Sequence, residues 1–275
     1  MQKNRWLIVV ALIGSIFIFG NCNKTQQIQE TVIVEIEPSE IVVYESPEDV
    51  LIFIGKTWWI SPENARTEAE LTKELLEAKG IQVGITGNEE SLRDWMLQTT
   101  ANNSVNVCIL NGVLPTAIYP AGNTQPDGSI AEKWIESTDG DTILNQADYL
   151  GYNTTEGKAN ERGALQNLMD IEDIEIDVYT HDTIMVVSES AGIICPSLTR
   201  FESDRPFPLD QLEDDWYAEK IFATDTGNAK ATVADPIIVR DGNRGRIAIV
   251  YHTQNQNNPK AEVASEIISN YLIVK

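Results

Sequence analysis

The stretch Val50-Leu51-Ile52-Phe53-Ile54-Gly55, followed by Ser61-Pro62-Glu63 and an amphipathic run ending at Gly80, decides the fold. Six residues with no polar interruption read as a strand buried on both faces, and the next segment carries a helix start. Ser61 is placed to cap, Pro62 fits the first helical turn and Glu63 suits its positive end. Ala69, Leu71, Leu75, Leu76 and Ala78 give the helix one apolar face before Gly80 stops it. The unit then repeats. Ile81 to Ile85 reads as a strand, Asn88 as the cap of a helix bearing Leu92, Trp95, Met96 and Leu97, and Val105 to Leu110 as a third strand. Two successive strand–helix–strand units predict an open, mostly parallel, flavodoxin-like α/β sheet with helices on both faces.

Downstream the pattern loosens. Pro115 to Gly128 is rich in turn formers, Ser129 to Glu136 reads as a helix, and Thr142 to Leu144 and Tyr149 to Tyr152 as strands. Gly163 to Met169 and Leu209 to Phe222 read as helices, and Thr183 to Val187 and Ile193 to Ile194 as extended chain. Ile237 to Val239 and Arg246 to Tyr251 read as strands, and Ala261 to Leu272 as a closing helix. The expectation is an irregular insertion in the second half of one domain, residues 49–275.

Upstream, Lys3 and Arg5 precede an apolar run from Trp6 to Phe19, the layout of an export signal over residues 1–21. The run is short for a membrane span. Phe19-Gly20-Asn21-Cys22 resembles the lipobox of bacterial lipoproteins, which implies a lipid on Cys22, an acidic tether over 22–48, and an extracytoplasmic place at the outer membrane or cell surface. An uncleaved anchor and an ordinary secreted chain remain as alternatives. Cys108 and Cys195 are then left, either as a pair or as two buried thiols; the apolar setting of Cys108 favours the thiols.

The formal net charge of -22 repels nucleic acid and leaves neutral ligands, cations or a plain solvated surface. The sequence holds no Walker loop, no His-Glu-x-x-His and no dinucleotide fingerprint, and Asp139-Gly140-Asp141 lacks the spacing of a calcium loop. No metal or other cofactor is expected.

In an open parallel sheet, ligands bind beyond the carboxyl ends of the strands, where strand order reverses. That rule selects Trp58, Trp59 and Asn111; Asn145, Gln146 and Asp148; and His252 and Gln254. Adjacent tryptophans at a strand end suit stacking on a sugar or other small molecule, or else pack beneath the next helix. His252 is a candidate base or a hydrogen-bonded structural residue.

Through Val50 to Gly55, Asp204-Arg205-Pro206 through Trp216-Tyr217, and above all Gly245 to His252, the domain resembles the ThuA-like (trehalose-utilisation) group of the class I glutamine amidotransferase-like superfamily. The resemblance implies a carbohydrate-related role. It also implies no glutaminase chemistry, because the elbow region Leu144 to Asp148 has no cysteine and the His-x-Glu position reads His252-Thr253-Gln254. Two alternatives stand beside it. Ser188-Glu189-Ser190-Ala191-Gly192 resembles a hydrolase elbow, with Asp235 and His252 completing the chain order, although Ile193 and Ile194 look too extended for the helix it needs. The other is a non-catalytic interaction module.

Overall fold

A computed structural model describes residues 47–123, 128–147, 149–157, 160–176, 183–253 and 255–274. The expected signal peptide, Cys22, nearly all of the expected tether, Asp148 and Gln254 lie outside the described residues. Residues Glu45–Lys275 form one compact unit.

The first half follows local chemistry closely. Strand β1 (Val50–Phe53) leads to helix α1 (Pro62–Glu77), whose Asn64 amide donates to the Ser61 hydroxyl at 3.1 Å. Strand β2 (Val83–Thr86) leads to α2 (Glu89–Thr99), whose Ser91 amide donates to the Asn88 side chain at 3.0 Å. Both caps satisfy amides that a helix start leaves unbonded. Strand β3 (Val107–Asn111), the short β4 (Val113–Leu114), α3 (Ile130–Ile135) and β5 (Thr142–Gln146) follow. Next come β6 (Asn153–Thr154), paired in parallel with β4, and α4 (Gly163–Met169).

The second half holds β7 (Thr183–Val187), α5 (Ala191–Ile194), β8 (Phe201–Ser203), β9 (Phe207–Pro208) and β10 (Trp216–Ile221). The chain ends with β11 (Ala223–Thr224), β12 (Val233–Ala234), β13 (Ile237–Asp241), β14 (Arg246–Ile249), α6 (Lys260–Ile267) and a π-helical turn, Ile268–Leu272.

The central sheet has the order β10-β13-β14-β5-β3-β1-β2. Strands β2, β1, β3, β5 and β14 run parallel, while β13 pairs antiparallel with both β14 and β10. The fold is therefore mixed α/β with a mostly parallel sheet, consistent with a flavodoxin-like arrangement. Strand alternation divides the apolar interior in two. Leu51, Phe53, Cys108, Leu110 and Ile143 cluster with Leu92, Trp95 and Met96 of α2 and Trp134 of α3. Val50, Ile52, Val107, Ile109 and Leu144 cluster with Ala69 and Leu76 of α1 and Val263, Ala264 and Ile267 of α6. The insertion is a second sheet, β8-β7-β11-β12-β9, with antiparallel pairs throughout.

Three sequence expectations are corrected. Leu209 to Phe222 contains the strand β10, because Trp216 to Ile221 finds hydrogen-bond partners along β13 that lie some twenty residues on. Ile193 and Ile194 belong to the helix α5, with Ile193 83% exposed rather than packed. Tyr149 to Tyr152 is turn, and the strand comes after it as β6. Cys108 and Cys195 are both buried free thiols, and burial pushes the Cys195 thiol up to about 12. Among the described residues no helix is long and apolar enough to cross a membrane.

Candidate functional site

From β1 the chain runs to β2 on one side and returns to β3 on the other, so strand order reverses between β1 and β3. The loop leaving β1 carries Trp58 and Trp59, which are 37% and 49% exposed and meet edge to face at 6.3 Å. They are not packed beneath a helix. The Trp58 amide donates to the Asn111 carbonyl at 3.3 Å, which pins this loop to the end of β3. Gly112 follows at φ 80°, and a methyl added there would lie 2.6 Å from the Trp58 carbonyl oxygen. Only glycine allows the two strand ends to approach this closely. The Asn111 side chain is buried and donates to the Phe53 carbonyl at 3.3 Å, so it ties β3 to β1 rather than facing solvent.

Three left-handed residues lie on the same edge. Trp59 (φ 65°), in the loop after β1, and Ala147 (φ 75°) and Tyr251 (φ 53°), just past the ends of β5 and β14, adopt left-handed conformations. Such conformations in residues with a β-carbon cost free energy and gather where structure serves function.

Beneath this edge the second and third sequence clusters converge. Asn145 and Gln146 lie within β5, and the His252 Nε2 is 2.7 Å from the Asn145 Nδ2. The other ring nitrogen of His252 lies 3.1 Å from the Arg205 carbonyl. A carbonyl accepts only, so Nδ1 carries the proton, and Nε2 accepts from the Asn145 amide. The imidazole is neutral, and burial drags its pKa to about 3. A buried ring with both nitrogens engaged has nothing to offer a substrate as a base. Gln146 donates to the Lys260 carbonyl at 3.3 Å, and the buried Lys260 ammonium donates to the Thr253 carbonyl at 2.6 Å. Burial lowers the Lys260 pKa, opposed by the nearby carboxylates of Glu68, Asp235 and Asp204.

Asp235 completes this layer. It accepts from the Ser203 hydroxyl at 2.6 Å and from the amides of Tyr251 and His252 at 2.8 and 2.9 Å. Burial raises its carboxyl to about 6 against the pull of those bonds. The serine-hydrolase arrangement does not assemble. Asp235 holds the backbone amide of His252 and not its ring, while the Ser190 hydroxyl lies 3.4 Å from both the Ser188 hydroxyl and the Lys220 ammonium. Lys260 and Ser203 join this layer without any sequence signal, and Arg205, noted only within the segment Asp204-Arg205-Pro206, joins it through its backbone carbonyl.

An open cavity of about 760 Å³ lies on the same edge, between the start of α2, the loop after β4 and the segment after β6. Asn88, Glu89, Glu90, Thr116 and Glu156 line it. Glu89 accepts from the Thr116 hydroxyl at 2.9 Å and from the Ala117 amide at 3.1 Å. Burial works to raise the Glu89 carboxyl, yet hydrogen bonds from Thr155, Ala117 and Thr116 together hold it below its usual range. The Lys56 ammonium, in the β1 loop, donates to the Thr155 carbonyl at 2.6 Å and so joins the tryptophan loop to the cavity wall. Among the described residues no group of three or more His, Cys, Asp or Glu could hold a metal ion.

No family model matches the sequence, and no curated protein matches it. Solved structures do. One is the exo-beta-1,4-mannosidase Op5Man5 from Opitutaceae bacterium strain TAV5, at 13% identity and a TM-score of 0.42 over 82% of this chain and 36% of that one. The chain thus spans about a third of the mannosidase. Another is a putative ThuA-like protein from Bacteroides uniformis ATCC 8492, at 9% identity and a TM-score of 0.41 over 84% of this chain and 94% of that one.

Proposed function

We propose that this chain is an extracytoplasmic lipoprotein, anchored through Cys22, that binds carbohydrate at the β1/β3 edge without glutaminase chemistry. The observation that carries the binding role is the exposed Trp58–Trp59 pair, set at the point of strand reversal on a loop whose Lys56 bonds Thr155, next to the cavity residue Glu156. Two aromatic faces held at right angles offer a sugar one apolar wall, while Asn88, Thr116 and the cavity carboxylates offer hydrogen bonds to hydroxyls. Three features support the absence of glutaminase chemistry. Ala147 stands at the strained elbow after β5, both described cysteines are buried, and the His252 ring is fully engaged.

The test is calorimetric titration of the detergent-solubilised chain with neutral oligosaccharides, for the parent and for Trp58→Ala. Loss of one stacking face costs about 1.5 kcal/mol, a tenfold weaker Kd. An unchanged Kd in a folded variant removes the stacking role. A non-catalytic interaction module is the second reading, favoured by Ile184 and Val186 exposed on β7 and by Ile193 on α5. It gains if no sugar binds the parent.

A further inference from the structure

We infer that Lys56 is a positioning residue that joins the tryptophan loop and the neighbouring cavity into one elongated site, whose ligand is a chain of several sugar units rather than a single sugar. The inference rests on the carbohydrate reading above and adds the length of the ligand. The loop after β1 is held at two points, Lys56 and Trp58. The Trp58 amide donates to the Asn111 carbonyl at 3.3 Å, and the Lys56 ammonium donates to the Thr155 carbonyl at 2.6 Å, across 99 residues of chain.

The Lys56 anchor lands on the cavity wall. Thr155 directly follows β6 and precedes Glu156, which lines the cavity. A methyl built on Gly157 would lie 3.7 Å from the same ammonium, so Lys56 lies along this segment. From Thr155 the wall continues by hydrogen bonds. The Thr116 amide donates to the Thr155 hydroxyl at 3.3 Å, the two hydroxyls lie 3.2 Å apart, and Thr116 donates to Glu89 at the start of α2. The pairing of β4 with β6 keeps the segments that follow them side by side. The α-carbons of Lys56 and Trp58 are at most about 7 Å apart, so the indole-bearing loop and the wall are neighbours in space.

The cavity holds about 760 Å³, room for a ligand of several rings. A single hexose fills only part of that space, whereas a chain of about three or more units occupies it and still extends over the exposed indoles. The anchor matters because a loop already ordered presents its aromatic faces without a further ordering cost at binding.

The experiment is calorimetric titration of the detergent-solubilised full chain with neutral oligomers of glucose, mannose or N-acetylglucosamine, in lengths of one to about six units, for the parent, Lys56→Met and Lys56→Arg. In the parent, affinity for the sugar that binds rises at least about tenfold between one and about four units and then levels off. Lys56→Met keeps the parent's affinity for the shortest oligomers and loses most of that rise. Lys56→Arg, which retains a donor for the Thr155 carbonyl, restores it. A loss by the same factor at every length, as a merely weakened fold would give, overturns the positioning role. Affinity already complete with one unit overturns the elongated site without any variant. Binding of no oligomer overturns the carbohydrate reading and this inference with it.

Discussion

Replacing Gly112 with alanine tests whether the close approach of the β1 and β3 loops builds the candidate site. Two costs add. At φ 80° a β-carbon sits in the left-handed region, at about 1–2 kcal/mol. The new methyl would also lie 2.6 Å from the Trp58 carbonyl oxygen, a contact with backbone that cannot swing aside. Overpacking of that kind adds about 1–3 kcal/mol, so the sum is about 3 kcal/mol. For a domain of this size that lowers Tm by roughly 10 °C. Gly80→Ala is the control: its φ is 78°, but nothing lies within 4 Å of the added methyl. It incurs only the backbone cost, about 1 kcal/mol or less after the gain from a stiffer unfolded chain. Urea and thermal unfolding followed by circular dichroism give both values, and acrylamide quenching of tryptophan emission reports the position of Trp58 and Trp59. Equal destabilisation by the two variants, with unchanged quenching, refutes the argument that Gly112 is a packing requirement of the tryptophan loop.

The ring-proton resonances of His252 should stay constant from neutral pH to about pH 4 because burial holds its pKa near 3; a midpoint close to 6.5 would mean that water reaches the ring. The linked sign is that an unfolded chain takes up this proton below about pH 6.5 while the folded one refuses it. His252 therefore removes stability as pH falls, by up to about 1.4 kcal/mol per unit. Asp141 acts the other way. Burial lifts its carboxyl to about 7, with Asp139 adding to the rise and the Asn106 amide, Ser137 and Arg246 opposing it. The folded state holds a proton that the unfolded state releases, so this group removes stability as pH rises from about 4 through 7. Asp141→Asn keeps an acceptor for the Asn106 amide, which lies 2.8 Å from the native carboxylate. It should match the parent near pH 4 and exceed it at pH 8 by on the order of 2 kcal/mol in urea titrations; a deficit at pH 8 would show that the ionised carboxylate is needed.

What could be read from the sequence is what depends on neighbours along the chain. Ser61 and Asn88 cap amides three residues on, and the apolar spacing of α1 and α2 needs no distant partner to be seen. The parallel sheet followed from these units, and with it the convergence of Asn145 and His252, because parallel strands end on one edge. The tertiary structure alone decided what that convergence means. His252 could have faced a cleft as a base. Arg205 and Asn145 close both sides of its ring, and neither is local to it. Trp216 to Ile221 reads as helix until β13 supplies hydrogen bonds, and Ser190 and Asp235 fit a triad by chain order until their hydroxyl and carboxylate are seen turned to other partners. The cavity is assembled by α2, the loop after β4 and the segment after β6, three pieces with no shared periodicity. Caps and periodicities are local, short-range interactions and are written in residue order. Burial, protonation and the shape of a site come from chain segments brought together only by folding.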